Sequence, residues 1–199
     1  MKNTFRFLGI AMLVFTMSFS SFREKKVIVI DAGHGGKDHG STFGNHTEKT
    51  IVDGISKKIH ALDNSEEIEI VLLRSADEFK SLQDRVDAIN QLHADLVISL
   101  HVNQNANNQA SGIEAFVSEE NEKFDASKEH ATELLASLST ETLKSRGVKV
   151  APFFILKKSQ SPAVTIELGF LSNENDRKYI TSEEGQNEIA SKIFNYVSK

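Results

Sequence analysis

Four consecutive β-branched residues, Val27, Ile28, Val29 and Ile30, run without polar alternation into Asp31, Gly33, His34, Gly35 and Gly36. An apolar run of this kind, closed by glycines, reads as a strand covered on both faces, and such strands belong to parallel sheets flanked by helices. Two later stretches repeat the arrangement: residues 96–100 (LVISL) lead into His101, and residues 163–166 (AVTI) lead into Glu167. As parallel strands of one sheet, the three would bring His34, His101 and Glu167 to the same edge. That carboxyl edge is where open α/β sheets bind ligands.

The remaining pattern alternates between the two secondary-structure periods. Thr47 reads as an N-cap, with Glu48 in the first turn and Ile51, Val52, Ile55, Ile59 and Leu62 at helical spacing. Residues 69–74 read as a second strand. Ser81 and Asp84 form a capping pair for a helix carrying Leu82, Val86, Ile89 and Leu92. Residues 112–117 read as a strand, and a long amphipathic helix follows from about residue 127 to about 144 with Leu134, Leu135, Leu138 and Leu143. Residues 153–156 and 163–170 read as two more strands. Thr181 and Glu184 form a capping box for a terminal helix that turns Ile189, Ile193, Phe194 and Val197 inward. The expected fold class is α/β: a single domain with a mostly parallel, twisted sheet of about six strands and helices on both faces.

At 199 residues the chain suits one full-sized domain. Its first residues have a different character. Lys2 and Arg6 precede an apolar run that ends in small residues around Ser20, the order of a secretory signal peptide. The expectation is a signal over residues 1–20, cleaved near Ser20, and a catalytic domain over residues 21–199. The protein would then be exported, periplasmic or extracellular. The alternative is an uncleaved membrane anchor, although residues 7–22 are short for a span of roughly 20 residues. Cysteine is absent, which excludes disulfides and lipid attachment at cysteine. Removing residues 1–20 takes the formal charge from −5 to −7, so nucleic acid, which needs clustered Lys and Arg, is not an expected partner.

Five of the seven histidines, His39, His46, His60, His93 and His130, fall in loops or on helix faces where solvation explains them. His34 and His101 close buried strands, where imidazole is costly unless both ring nitrogens find partners or a metal. Glu167 follows the same logic. The three could simply hydrogen-bond one another. They could also serve a catalytic zinc, which takes three protein ligands, often two His and one Glu, and keeps a position open for water. A further carboxylate then acts as the base. Either Glu48 or Glu167 could be the ligand on these grounds. No cysteine and no GxSxG elbow offers a competing nucleophile.

DAGHGGKDHG, the Thr47-Glu48-Lys49 step, SLHVN and PAVTIELGFLSN together resemble the zinc-dependent N-acetylmuramoyl-L-alanine amidases of bacterial cell walls, over nearly the whole chain from Val27 onward. The resemblance implies hydrolysis of the amide joining N-acetylmuramic acid to L-alanine of the peptidoglycan stem. It implies one zinc ion held by His34, Glu48 and His101, with Glu167 as the catalytic carboxylate. Arg85 matches the family's arginine in the helix after the second strand. Where the family usually has proline after the first aspartate, this chain has Ala32. Lys37, Lys49, Lys157 and Lys158 flank the motifs and could meet stem-peptide carboxylates, and Asn103 could line the groove.

Rival readings are a zinc carboxypeptidase or other peptidase on a related fold, and a peptidoglycan-binding module without catalysis. Some amidases of the family are held inactive by an inserted helix ahead of the long helix. Here only about nine residues, 118 to 126, are available, fewer than the roughly 11 of an average helix. The expectation is an open site on a monomer that needs no activator.

Overall fold

A computed structural model describes residues 25–199; the expected signal over residues 1–20 lies outside them. The six-stranded sheet has the order β4-β1-β5-β8-β6-β7. Its strands are β1 (Lys26–Ala32), β4 (Ile68–Leu72), β5 (Leu96–Asn103), β6 (Ile113–Val117), β7 (Ser145–Val150) and β8 (Ala163–Phe170). β4, β1, β5 and β8 are mutually parallel, β6 runs antiparallel to β8, and β7 is parallel to β6. A small hairpin of β2 (Thr42–Phe43) and β3 (His46–Thr47) stands apart.

The unbroken apolar strands are explained by two cores, one on each face. Ile28, Ile30, Ile98, Leu100, Val164 and Ile166 join one core with α1 (Glu48–Ala61), α3 (Phe124–Leu138) and α6 (Glu183–Val197). Val29, Val97 and Ala163, from the alternate positions, join the other with α2 (Leu82–Leu92) and α4 (Phe154–Lys158). Each large side chain buried in this way contributes about 1.5–3 kcal/mol. The expected class, layering and sheet therefore hold. No described helix is long and apolar enough to cross a membrane.

Several local expectations do not hold. The long helix ends at Leu138, where the Ser139 hydroxyl bonds to the Leu135 carbonyl (2.6 Å) and Thr140 Oγ1 accepts from the Leu143 amide (2.9 Å). Hydroxyl groups so close to the backbone offer it an alternative to the helical ladder. Leu143 still reaches the core, but from a turn. The sixth strand is the exposed edge segment SRGVKV of β7, and the apolar FFIL at 153–156 enters α4 instead; a short apolar run cannot be assigned by periodicity alone. Leu62 is the C-cap of α1 and Leu82 is 54% exposed, so neither joins its helix's buried stripe.

The terminal helix starts one residue later than expected. Ser182 caps it, accepting from the Gly185 amide (3.0 Å). Thr181 is instead the C-cap of an unanticipated helix, α5 (Glu174–Ile180), and donates to the Arg177 carbonyl. Ser81 and Asp84 do form the expected capping box of α2.

Candidate metal centre

Beyond β1 the chain leaves the sheet, and two buried guanidinium groups take over its carbonyls. Arg74, just past β4, donates to the carbonyls of Ala32 (3.0 Å), Gly33 (3.3 Å) and Lys49 (3.1 Å) and pairs with Asp53 (2.9 Å). Arg85, on α2, donates to the carbonyls of Ala32 (2.9 Å) and His34 and pairs with fully buried Asp31. The second oxygen of Asp31 accepts from the Ser99 hydroxyl (2.8 Å). This clamping holds His34 at φ 59°, a left-handed conformation that costs a residue with a Cβ about 1–2 kcal/mol. Arg74 was not among the residues singled out in the sequence; a lone arginine at a strand end carries no sign of what it will reach.

The clamped loop, the start of α1 and the end of β5 converge. Glu48 Oε1 lies 3.1 Å from His34 Nε2 and 2.8 Å from His101 Nδ1, and it accepts from the Val102 amide (3.0 Å). Its Oε2 accepts from the Ser41 amide (2.8 Å). His34 Nδ1 meets Asp38 Oδ2 at 2.9 Å, which fixes the ring's orientation. His34, Glu48 and His101 each offer one ligand atom within 4.8 Å of the others.

Burial pushes the His34 imidazole down, but Glu48 and Asp38 outweigh it and raise it to about 9. Burial also opposes a charged His101, and Glu48 carries it upward on balance. Burial raises Glu48, yet the two imidazoles and the Ser41 amide hold it well below the usual carboxylate range. The cluster thus favours positive charge around one carboxylate, which a divalent cation supplies as well as protons do.

Two glycines shape the cradle. A Cβ on Gly33 would lie 2.5 Å from His101 Cε1, and one on Gly40 would lie 2.5 Å from Glu48 Oε2 and 2.6 Å from His34 Cδ2. The donor set and the close backbone approach fit zinc. Replacing Gly33 by Ala should turn the His101 ring and weaken zinc binding roughly 10- to 100-fold, as loss of orienting contacts does. Zinc titration against a competing chelator reads this directly, and unchanged affinity would show that the ring position is not critical.

Glu167 sits opposite His101 in the β5–β8 register. Its Oε2 is buried without a hydrogen-bond partner among the described residues. Burial, reinforced by Glu48 and Glu114 against His101, pushes its carboxyl up to about 7. Two pockets flank His101. One of about 240 Å³ is lined by Phe153, Phe154, Ile155 and Glu167, and one of about 270 Å³ by Gly33, His34, Phe79 and Lys80, with Leu82 shared between them.

The sequence and the fold have counterparts among known proteins. Residues 28–199 match the model of the N-acetylmuramoyl-L-alanine amidase family. The chain belongs to that family. It is 35% identical over 175 residues to the protein YqiI of Bacillus subtilis, covering 86% of this chain and 83% of that one. It is 33% identical over 154 residues to the N-acetylmuramoyl-L-alanine amidase LytC of the same organism, covering 76% of this chain and 30% of LytC. The crystal structure of an N-acetylmuramoyl-L-alanine amidase from Clostridium difficile 630 matches with a TM-score of 0.81 at 32% identity, over 87% of this chain and 95% of that chain. The protein is accordingly an amidase enzyme, with a His/His/Glu cluster consistent with a zinc-dependent hydrolase.

The other residues marked in the sequence of this amidase fall in different places. Lys37 lies over the Phe79 ring (4.7 Å), at the rim of one flanking pocket. Asn103 turns inward, donating to Glu114 (2.9 Å) and accepting from the Gln104 amide (2.8 Å). Lys157 is paired with Glu120. Lys49 ties the loop down, donating to the Gly36 carbonyl (2.7 Å) and Asp77 (2.8 Å).

Proposed function

We propose that the protein hydrolyses the amide between N-acetylmuramic acid and L-alanine in peptidoglycan, with one zinc ion held by His34, Glu48 and His101 and with Glu167 as the base. The observation that carries this reading is the Oε2 of Glu167, without a partner among the described residues, beside three converging donors at the carboxyl edge of the sheet. Zinc in such a site supplies Lewis-acid chemistry, polarising a carbonyl and lowering the pKa of water. Glu167, raised towards neutrality by burial, takes a proton from the attacking water and delivers it to the departing nitrogen of L-alanine. Asp38 keeps His34 oriented, and Phe79, Leu82 and Phe153 give the pockets beside His101 an exposed apolar rim.

The connection from β6 to α3 comprises residues 118–123, too short to carry a covering helix. The enzyme is therefore read as active without an activator; it is read separately, on no observation of an interface, as a monomer. Residues 1–20 are read as the export signal that delivers it to the wall, and the N-terminus of the secreted protein would fall near residue 21.

The test is digestion of purified peptidoglycan by the isolated protein. Released stem peptides should begin with L-alanine, chelation should abolish release, and zinc should restore it. Zinc added to the metal-free protein at pH 7 should displace about one to two protons per ion, because the ligands must be deprotonated. Activity surviving exhaustive metal removal would overturn the zinc reading, and products shortened from the carboxyl end of the stem would indicate a carboxypeptidase.

A further inference from the structure

A cavity of about 520 Å³ shares no lining residue with the two pockets beside His101. Its walls come from the β2–β3 hairpin, the loop after β5 and the start of α5, and amide side chains dominate them: Gln104, Asn105, Gln109 and Asn175. An amide carries both donors and an acceptor; Gln104 Nε2 and Gln109 Nε2 each donate once, to Thr42 and Asn108, and Asn105 Oδ1 accepts from the Asn107 amide, which leaves each side chain further capacity. Phe43 adds an aromatic surface, 43% exposed, with the Arg177 guanidinium stacked 4.0 Å from its ring centroid to hold it in place. Glu174 and Arg177 are the only charged residues of the lining and formally cancel.

The cavity is joined to the metal cluster through a few bonds. Ser41 donates its amide to Glu48 Oε2 (2.8 Å) and its hydroxyl to the Val102 carbonyl (3.1 Å). The next residue, Thr42, accepts from Gln104 Nε2 (3.4 Å) at the cavity wall. The flank that carries Phe79, Leu82 and Phe153, all exposed, has another character: Lys37 lies over the Phe79 ring, and Lys80 pairs with Glu78 (3.2 Å). A neutral, amide-rich groove with an aromatic face suits a neutral polyhydroxy ligand carrying acetamido groups, whereas an anionic peptide suits the apolar, lysine-bearing side.

We propose that this groove is a glycan subsite that binds N-acetylated sugar units of the wall strand and so presents the scissile amide to the cluster. The assignment rests on the amidase reading above but is tested apart from catalysis. The probe is the β-1,4-linked tetramer of N-acetylglucosamine, which lacks both stem peptide and scissile amide, titrated calorimetrically into the zinc-loaded protein. Saturable binding is expected, weakened roughly fivefold or more by Phe43→Ala and by Asn175→Ala, as loss of an anchoring contact does. Asn175 is exposed, so its variant keeps the test informative should Phe43→Ala unsettle the hairpin. Absence of tetramer binding in an enzyme that still digests peptidoglycan would overturn the subsite alone. Tetramer binding without digestion would leave the subsite standing and sink the amidase reading. If both variants weakened binding of an L-alanyl-D-glutamyl stem peptide and not of the tetramer, the groove would belong to the peptide.

Discussion

Replacing Glu167 by Gln should lower turnover on peptidoglycan by roughly 10² to 10⁴ while zinc stays bound, whereas replacing Glu48 by Ala should lose the metal and the activity together. The contrast follows from position. Glu48 Oε1 is shared between both imidazoles, while Glu167 Oε2 has no partner among the described residues. Elemental analysis beside turnover separates the two roles, and zinc lost from Glu167→Gln but kept in Glu48→Ala would exchange them.

The same carboxylate should also leave a mark on stability. In the metal-free protein the Glu167 carboxyl titrates at about 7, raised from 4.5. Below pH 4.5 it is protonated in both folded and unfolded chains and costs nothing. As pH rises from 4.5 towards 7 the unfolded chain ionises first, so stability falls, by on the order of 3 kcal/mol at completion. Glu167→Gln removes this loss. Metal-free Glu167→Gln should therefore melt higher than metal-free wild type at pH 8 and match it at pH 4; equal melting at both would mean that Glu167 ionises freely.

The second large effect concerns the buried pair of Asp31 and Arg85. Truncating Arg85 to Met strands a carboxylate with no exposed surface, and removing one member of a buried pair costs about 3–5 kcal/mol. Against a typical total of about 5–15 kcal/mol that is a large share. Arg85→Lys should recover little, since one ammonium cannot span the Asp31 carboxylate and the carbonyls of Ala32 and His34. Denaturant unfolding of both single variants and of Asp31→Ala/Arg85→Met should give a double loss well below the sum of the singles. Additive losses would show that the two residues act separately.

The reach of the sequence is clearest where periodicity and burial coincide. VIVI is apolar throughout, and LVISL and AVTI are apolar at every position but Ser99 and Thr165, because both faces are covered; as parallel neighbours the three strands bring their terminal residues to one edge. Glu48 needed more: its place at a helix start is local, but its approach to two histidines 14 residues before it and 53 after it is not. Arg74 shows the limit, since the partners that clamp the loop and α1 lie 21 to 42 residues earlier in the chain and nothing near it marks them. β7 was missed because an exposed edge strand with Lys149 and Arg146 turned onto Glu114 has no hydrophobic face to read. The amide groove was illegible for a related reason: its walls are loops brought together only by the sheet order.

The wide spacing of the three converging donors also bears on when a metal can be acquired. His34 and His101 come together only after β1 has paired with β5 across the intervening β2–β3 hairpin, α1, β4 and α2, and the long loop this closes must be ordered before its contacts repay the entropy. A nascent chain therefore offers isolated donors and no site. A metal taken up at this cluster would bind late in folding, so the compartment in which this chain folds would be the one whose metal pool it samples.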